Sequence, residues 1–465
     1  MPEAELSGLL LTVLGIVAFA AGLLASIAFH EYGHFFWARK FGMRVPQFMV
    51  GFGPTLFSRT RGETEYGIKA VPLGGYIRIV GMIPPAEEHE SARATRMRSF
   101  IAEVRGQAQD DVRPGDEGRV FWAKPWWQRV IVMSAGPVHN LVLAVLLFTV
   151  LLTVVGTGVL TTTVRAVPAC VLPATAATQA APGTDPCAVL VDPAGRTCEQ
   201  GTPGCALPQQ SPAAAAGLRP GDTIVAIAGR PLDPTAYDSW TTAQEAIRTS
   251  PGRPLELTVE RDGARRALTV TPIANTVYAD PTDPTEGTTT AGYLGVSPGG
   301  QLARQDLADL PGYFGTVLAG AVERLVEIPE RIPQLFRAAF LGEERDPNGP
   351  IGVIGVGRIS GEVFAIPELT GAQKVSTFLQ LLASINLVLF LFNLLPMYPL
   401  DGGHVAGALY EKARSVVARL RGRPDPGPFD IARLMPVAYA VAGLFVGLSL
   451  LLLIADLVNP IRLRG

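Results

Sequence analysis

Four runs of almost purely apolar residues constrain this chain more than any other feature: Leu9–Phe29, Val130–Val155, Phe378–Leu395 and Val437–Val458. Each is near the roughly 20 residues that carry a helix across about 30 Å of hydrocarbon. Lipid offers no partner to a backbone N–H or C=O, so runs of this kind must close their own hydrogen bonds as helices. The expected fold class is therefore an α-helical polytopic membrane protein with about four transmembrane helices. Glu3 and Glu5 stand where a signal peptide would carry basic residues, and no small-residue cleavage site follows. The first run reads as a retained span.

Charge orients the spans. Arg39, Lys40, Arg44, Arg59, Arg61, Lys69 and Arg78 follow the first run, with more up to Arg129, and Lys412, Arg414, Arg419, Arg421 and Arg423 follow the third. Both loops are expected in the cytoplasm. The N-terminus, the long middle region and the C-terminus are then extracytoplasmic, and the expected location is a bacterial inner or plasma membrane. A formal net charge of -2 gives no general attraction for nucleic acid. Cys170, Cys187, Cys198 and Cys205 all lie in the middle region. In an oxidising compartment they suggest two disulfides in one of three pairings. Their spacing fits a zinc knuckle poorly.

The expected organisation is a first span with its motif at 1–44, a membrane-associated β region at 45–83, and a cytoplasmic linker with an interfacial helix at 84–129. The second span occupies 130–160, an extracytoplasmic domain 161–275, and a linker with a membrane-surface helical region 276–374. The third span occupies 375–404, a cytoplasmic loop 405–435 and the fourth span 436–465. Within these, "TEYGIKAVPLGGYIRIVGM" has β-type runs on both sides of Pro72–Gly75 and reads as a hairpin. Residues 84–119 read as a mobile linker and 276–290 as another. Trp122, Trp126 and Trp127 with Lys124 and Arg129 suit a membrane interface. Tyr313–Phe340 has helical periodicity interrupted by Pro329 and Pro333, and "GPIGVIGVG" is too rich in glycine for a stable helix. In the middle region, "SPAAAAGLRPGDTIVAIAGRPL", "TTAQEAIRTSPG" and "PLELTVERDGARRALTVTPI" follow in the order of a circularly permuted bacterial PDZ domain, which they resemble. The resemblance implies an α+β domain that takes an extended peptide as an added strand. The cysteine-bearing insertion departs from that pattern.

The chemistry sits at the end of the first run, in "HEYGH". His30 and His34 are four residues apart, so on a helix they share a face and can address one metal ion, with Glu31 beside them to reach a water. The bland alternative is a pair of hydrogen-bonded interfacial histidines. Three polar groups within about one helical turn weigh against it, because an ionisable residue in a span costs at least roughly 2.5–3.5 kcal/mol unless something compensates. Catalytic zinc takes three protein ligands and keeps one position open. Asp401 in "NLLPMYPLDGGH" is the best third ligand, since Pro396, Pro399, Gly402 and Gly403 break the third span there. His404 is its rival, with a supporting hydrogen bond as its alternative role. Asn140 and Asn393 lie within spans and could hold substrate or bond to neighbouring helices. His139 and His89 read as structural or solvated.

With these stretches, and with "GFGPTLFS" and "KPWWQRVIVMSAGPVHN" in the same order, the sequence resembles the site-2 protease family of intramembrane zinc metalloproteases, in particular its bacterial PDZ-containing branch. The resemblance implies a Zn2+ cofactor held by His30, His34 and Asp401, with Glu31 as catalytic acid and base. It implies Asn393 as a substrate-orienting residue, and a hairpin around Gly74, Gly75 and Tyr76 that pairs with extended substrate. It implies single-span membrane proteins as substrates, such as anti-sigma factors or remnant signal peptides, with the lipid bilayer and a PDZ-bound peptide as further partners. Two other readings remain open at this point. One is a PDZ scaffold whose metal is structural, with His404 as the fourth ligand. The other is a transporter, which four spans without an inverted repeat do not favour.

Overall fold

Apolar length makes the first element. Helix α1 runs from Glu3 to Lys40, so at about 1.5 Å per residue it is about 57 Å long and overshoots the hydrocarbon core. Arg39 and Lys40 in its last turn face the negative end of the helix dipole. The structure is a computed structural model describing residues 3–85, 103, 105, 106, 109–179, 185–234, 236, 238–279, 287–343, 345, 346 and 349–461. The chain divides into two units: Val155–Gln305, and the segments on either side of it.

The first unit continues with strands β1 (Gln47–Arg61) and β2 (Thr64–Arg78) and helix α2 (Trp126–Val150), which ends in a wider π turn at Leu151–Val155. After the second unit come α3 (Leu310–Phe340), α4 (Val353–Ala365), α5 (Gly371–Asn393), α6 (Asp401–Leu420) and α7 (Met435–Val458). Among the described residues, four helices are long and apolar enough to cross a membrane, over 6–40, 126–155, 371–393 and 431–458. The protein is a polytopic membrane protein.

Several expectations need correction in this unit. The stretch expected as a loop, 405–435, is helical up to Leu420 in α6. "GPIGVIGVG" enters a helix, α4, because its glycines form a contact face rather than a loose backbone. A Cβ on Gly361 would lie 2.9 Å from the Thr12 carbonyl, and one on Gly15 would lie 2.6 Å from the Ser360 carbonyl. Close approach of two backbones across small residues offsets the weak helix propensity of glycine. Pro329 and Pro333 do not interrupt α3, which runs through both. Packing of Leu335 and Ala339 against Ala455 and its neighbours on α7 compensates for the two missing N–H groups. Pro72–Gly75 is not a tight hairpin turn. The turn falls at Gly62–Glu63, and β2 continues through 72–75. Gln47, Phe48, Met49 and Val50 pair with Arg78, Ile77, Tyr76 and Gly75 on one side and with Glu65, Tyr66, Gly67 and Ile68 on the other. The two arms of β2 thus flank the start of β1, and no strand covers the outer edge of 75–78 among the described residues.

Much of the expected linker at 84–119, with His89, lies outside the described residues. Its described end is not loose. Arg44, 6% exposed, bonds Asp116 through Nε at 2.8 Å, and the Arg44 N–H donates to the Arg119 carbonyl at 3.1 Å. A core of Phe35, Ala38, Met43, Val45, Ile79, Phe121, Val132 and Met133 fills the space between α1, β2 and α2.

The second unit is a sheet in the order β9–β3–β4–β5–β6, with β3 at Thr157–Ala166, β4 at Thr223–Ile227, β5 at Leu255–Arg261, β6 at Ala264–Val270 and β9 at Ser297–Ala303. Ile224, Ile227, Leu257 and Val259 face the Ser239–Arg248 helix through Trp240, Ala243 and Ile247. The expected linker at 276–290 is only partly described, and its described ends belong to paired strands β7 (Ile273–Tyr278) and β8 (Thr288–Tyr293). Disulfides join Cys170 to Cys187 and Cys198 to Cys205. A cleft of about 400 Å³ separates the Ser239–Arg248 helix from Leu294–Pro298, with Leu172 and Ala177 of the cysteine-bearing insertion among its walls.

Candidate metal centre

Helix α1 does not end at the lipid boundary, so His30 and His34 stand one turn apart on continuous helix. His34 is 5% exposed. Its Nδ1–H donates to the Val132 carbonyl of α2 at 2.7 Å, because a carbonyl only accepts. That bond places the lone pair on Nε2. Pro137 removes an N–H from α2 and Gly136 removes a side chain, which opens this turn to the ring. A Cβ on Gly136 would lie 2.1 Å from His34 Nε2.

Asn140 is fully buried one turn further along α2, and its Nδ2 lies 3.1 Å from His30 Nδ1. Turning the amide over exchanges its oxygen and nitrogen and sets Oδ1, which has no other partner among the described residues, against a proton on Nδ1, the tautomer that a metal on Nε2 requires. The structure therefore sets Asn140 against a histidine rather than in an open substrate groove.

The third group arrives from the far end of the chain. α5 ends at Asn393 and α6 begins at Asp401, with a loop between them. Gly402 lets this loop fold across the head of α6, where a Cβ would meet the Leu395 carbonyl at 2.3 Å. Asp401 occupies the first turn of α6, where the helix dipole favours a carboxylate. Its Oδ2 lies 3.3 Å from His30 Nε2 and 3.3 Å from His34 Nε2, which are 3.2 Å from each other. Ligand atoms of all three lie within 4.8 Å of one another. Asp401 Oδ2 is buried and has no hydrogen-bond donor among the described residues.

Two nitrogen lone pairs and an orphaned carboxylate oxygen aimed at one point fit a divalent cation. Glu31 stands beside this group, so two carboxyl side chains and two imidazoles meet at one place on α1 and α6. The donor set suits zinc and leaves one position open, as a catalytic site does. His404 lies outside this group. Its ring packs edge-on against Tyr398 at 4.8 Å and Phe121 at 6.4 Å, and its Nδ1 is buried without a partner among the described residues.

Glu31 faces β2. A Cβ on Gly75 would lie 3.0 Å from Glu31 Cγ, so a glycine there lets the strand run against the carboxylate. Gly74 takes φ +107° and passes over the Phe52 ring, on which Tyr76 stacks at 6.2 Å. The structure does not join Asn393 to the three-residue group. It is half-buried at the last position of α5, with no hydrogen bond to that group among the described residues. His139 donates from Nδ1 to the Ala135 carbonyl at 2.7 Å and packs on Phe29.

Sequence reasoning misses two supports. Gly136 is a small residue one turn before Asn140 and shares its helix face. Asn386 and Ser26 are both fully buried, and the Asn386 amide donates to Ser26 Oγ at 2.9 Å. That bond ties α5 to α1 one turn before His30. An asparagine in an apolar run was the available signal.

Comparison with known proteins agrees with this geometry. The family model described as Peptidase family M50 matches residues 18–423. Zinc metalloprotease Rip1 of Mycobacterium tuberculosis (strain ATCC 25618 / H37Rv) is 34% identical over 460 residues, covering 97% of this chain and 99% of the relative. Zinc metalloprotease Rip1 of Mycolicibacterium smegmatis is 33% identical, covering 97% and 98%. Metalloprotease MmpA of Caulobacter vibrioides is 29% identical over 399 residues, covering 83% of each chain.

Proposed function

The chain belongs to peptidase family M50, the site-2 proteases, and is a zinc metalloprotease of the membrane; from that premise we propose that it cuts single-span membrane proteins within or near their transmembrane segments. His30, His34 and Asp401 hold the metal in this reading, and Glu31 handles the proton. The observation that carries it is the convergence within 4.8 Å of ligand atoms from residues 30, 34 and 401.

A zinc ion held by His30, His34 and Asp401 would supply Lewis acidity toward a scissile carbonyl and toward a water. Glu31 is the group placed to take a proton from the attacking water and deliver it to the leaving amine. The Val132 carbonyl keeps the His34 proton on Nδ1, and Asn140, with its amide oxygen turned toward His30, does the same there, so both Nε2 lone pairs stay aimed at the centre. A substrate helix must first unwind, because its carbonyls are already bonded. The uncovered edge of 75–78 offers a strand's worth of backbone partners in exchange, directly beside Glu31. Gly74, Gly75 and Tyr76 belong to that edge, and Asn393 orients the chain that docks on it.

We assign unit Val155–Gln305 as an extracytoplasmic PDZ domain. Its support is the sequence order, the cleft beside the Ser239–Arg248 helix and the uncovered outer edge of β9 among the described residues. It would filter substrates or hold a freshly cut end. The arginine and lysine distribution supports cytoplasmic placement of β1–β2 and of residues 405–435, with both termini outside in a bacterial inner membrane. The substrate class is anti-sigma-factor-like proteins or remnant signal peptides. The test is Glu31→Gln, with cleavage of a single-span reporter and zinc content measured together. Cleavage should fall by about 10²–10⁴-fold with zinc retained. Undiminished cleavage would remove Glu31 from the chemistry, and a fourth protein ligand found on the metal would favour the scaffold.

A further inference from the structure

The cysteine-bearing insertion takes part in the cleft of the second unit. Leu172, Ala174 and Ala177 line that space together with Trp240 and Ile247 of the Ser239–Arg248 helix. Ala174 and Ala177 stand three residues apart on a short helix, Ala174–Gln179, so they share a face of it. This wall is seated on the rest of the unit at several points. Cys170 and Val171 pair with Gln210 and Gln209, and the Ser211 N–H donates to the Ala169 carbonyl at 2.8 Å. Val171 is buried against the loop at 294–296, where a Cβ on Gly295 would lie 2.9 Å from Val171 Cγ2. Asn275 Nδ2 donates to the Leu172 carbonyl at 3.1 Å, and Thr175 Oγ1 donates to the Gly195 carbonyl.

The wall is also tied covalently. Cys170, two residues before Leu172, is joined to Cys187 across a sequence separation of 17. A six-residue helix does not persist on its own. A cross-link that closes the chain around it restricts the alternatives it could unravel into. The lining has a definite chemistry. Leu172, Trp240, Ile247, Val277 and Val296 are apolar, the two alanines leave volume unfilled, and Arg248 alone is charged among the described lining residues. A large apolar side chain fills such a space, whereas a small one leaves its walls without contacts. The proposal rests on the assignment of this unit as a peptide-binding domain. We propose that the insertion sets which peptide is taken: Leu172, Ala174 and Ala177 receive a bulky apolar side chain at the bound end, and the Cys170–Cys187 disulfide holds them in place.

The test uses the full chain in detergent and fluorescence polarisation of two labelled decapeptides. Both alternate serine and valine; one ends in phenylalanine and the other in alanine. Wild type should bind the phenylalanine end at least about tenfold tighter, the scale expected for burying one large apolar side chain. Leu172→Ala should cut that preference several-fold. Ala177→Trp, which fills the space, should abolish it. Cys170→Ser combined with Cys187→Ser should lower the preference as Leu172→Ala does, while Cys198→Ser combined with Cys205→Ser should leave it unchanged. Binding of the alanine-ended peptide should persist in every variant, which separates a lost wall from a lost fold. If wild type binds neither peptide, the peptide-binding reading falls and this inference falls with it. Equal affinity for the two peptides, or a preference that neither Leu172→Ala nor Ala177→Trp moves, would leave that reading standing and overturn the role of the insertion. A preference kept without the Cys170–Cys187 link would overturn the role of the disulfide.

Discussion

Gly136→Ala tests the metal centre without touching any proposed ligand. The new Cβ would stand 2.1 Å from His34 Nε2 and 2.7 Å from its two ring-carbon neighbours, against ordinary contact at 3.4–4 Å. The ring must retreat by more than an ångström. Its Nδ1–H is bound at 2.7 Å to Val132 on the same helix, and at 5% exposure it has little room. Nε2 therefore moves off the point it shares with His30 and Asp401. Changes to groups that merely orient a ligand cost about 10–100-fold in metal affinity. Displacing the ligand atom belongs at the upper end, about 100-fold or about 2.7 kcal/mol. Cleavage should fall by at least about 100-fold, the usual consequence of misplacing a reacting group by about 1 Å. The fold should survive, because alanine recovers up to about 1 kcal/mol of helix propensity against about 1–3 kcal/mol of overpacking. Zinc per chain is measured by mass spectrometry after dialysis against buffered zinc, beside reporter cleavage and Tm. A variant with wild-type zinc and cleavage would refute the claim that this glycine makes room for the histidine.

Gly361→Leu should force α4 off α1, where Thr12 and Ile16 already lie within about 3 Å of a Cβ, and cost about 1–3 kcal/mol in detergent unfolding; an unchanged midpoint would contradict the close packing. Asn386→Leu should lose the bond to Ser26 and cost up to about 1–2 kcal/mol, with reduced zinc retention if α5 positions His30 through α1. In the second unit, the hydrogen bond from Arg261 to Asp222 holds the Asp222 carboxyl below the usual carboxylate range. The folded state thus binds fewer protons there. The stability it contributes is present above pH ~4 and is lost as pH falls through the lowered value. Asp222→Asn should lower that unit's Tm by a few degrees at pH 7 and flatten its acid limb; an acid limb identical to wild type would exclude Asp222 as its source.

The spans, the paired histidines on one helical face, and the aspartate at the break in the third span were all readable in one dimension. Helical spacing and the cost of charge in lipid act locally, so a string of residues carries them. Glycine misled in "GPIGVIGVG", because its low propensity is local while the face it offers to α1 is not. Pro72–Gly75 misled for a related reason. A bend that lets β2 flank both sides of β1 looks like a turn until the partner strand is present. The role of Asn140 could not be read at all: an amide in a span serves equally a substrate, a neighbouring helix or a ring, and only the 3.1 Å approach to His30 distinguishes them.

Chemistry that depends on residue type and short spacing was therefore written in the chain: two imidazoles one turn apart, a glutamate between them, and a carboxylate at a helix start. What folding alone supplied was distance. It brought residue 401 to within 3.3 Å of residues 30 and 34 and set a glycine against a histidine ring. Contacts between segments hundreds of residues apart leave no periodicity behind, because they arise from how whole helices pack.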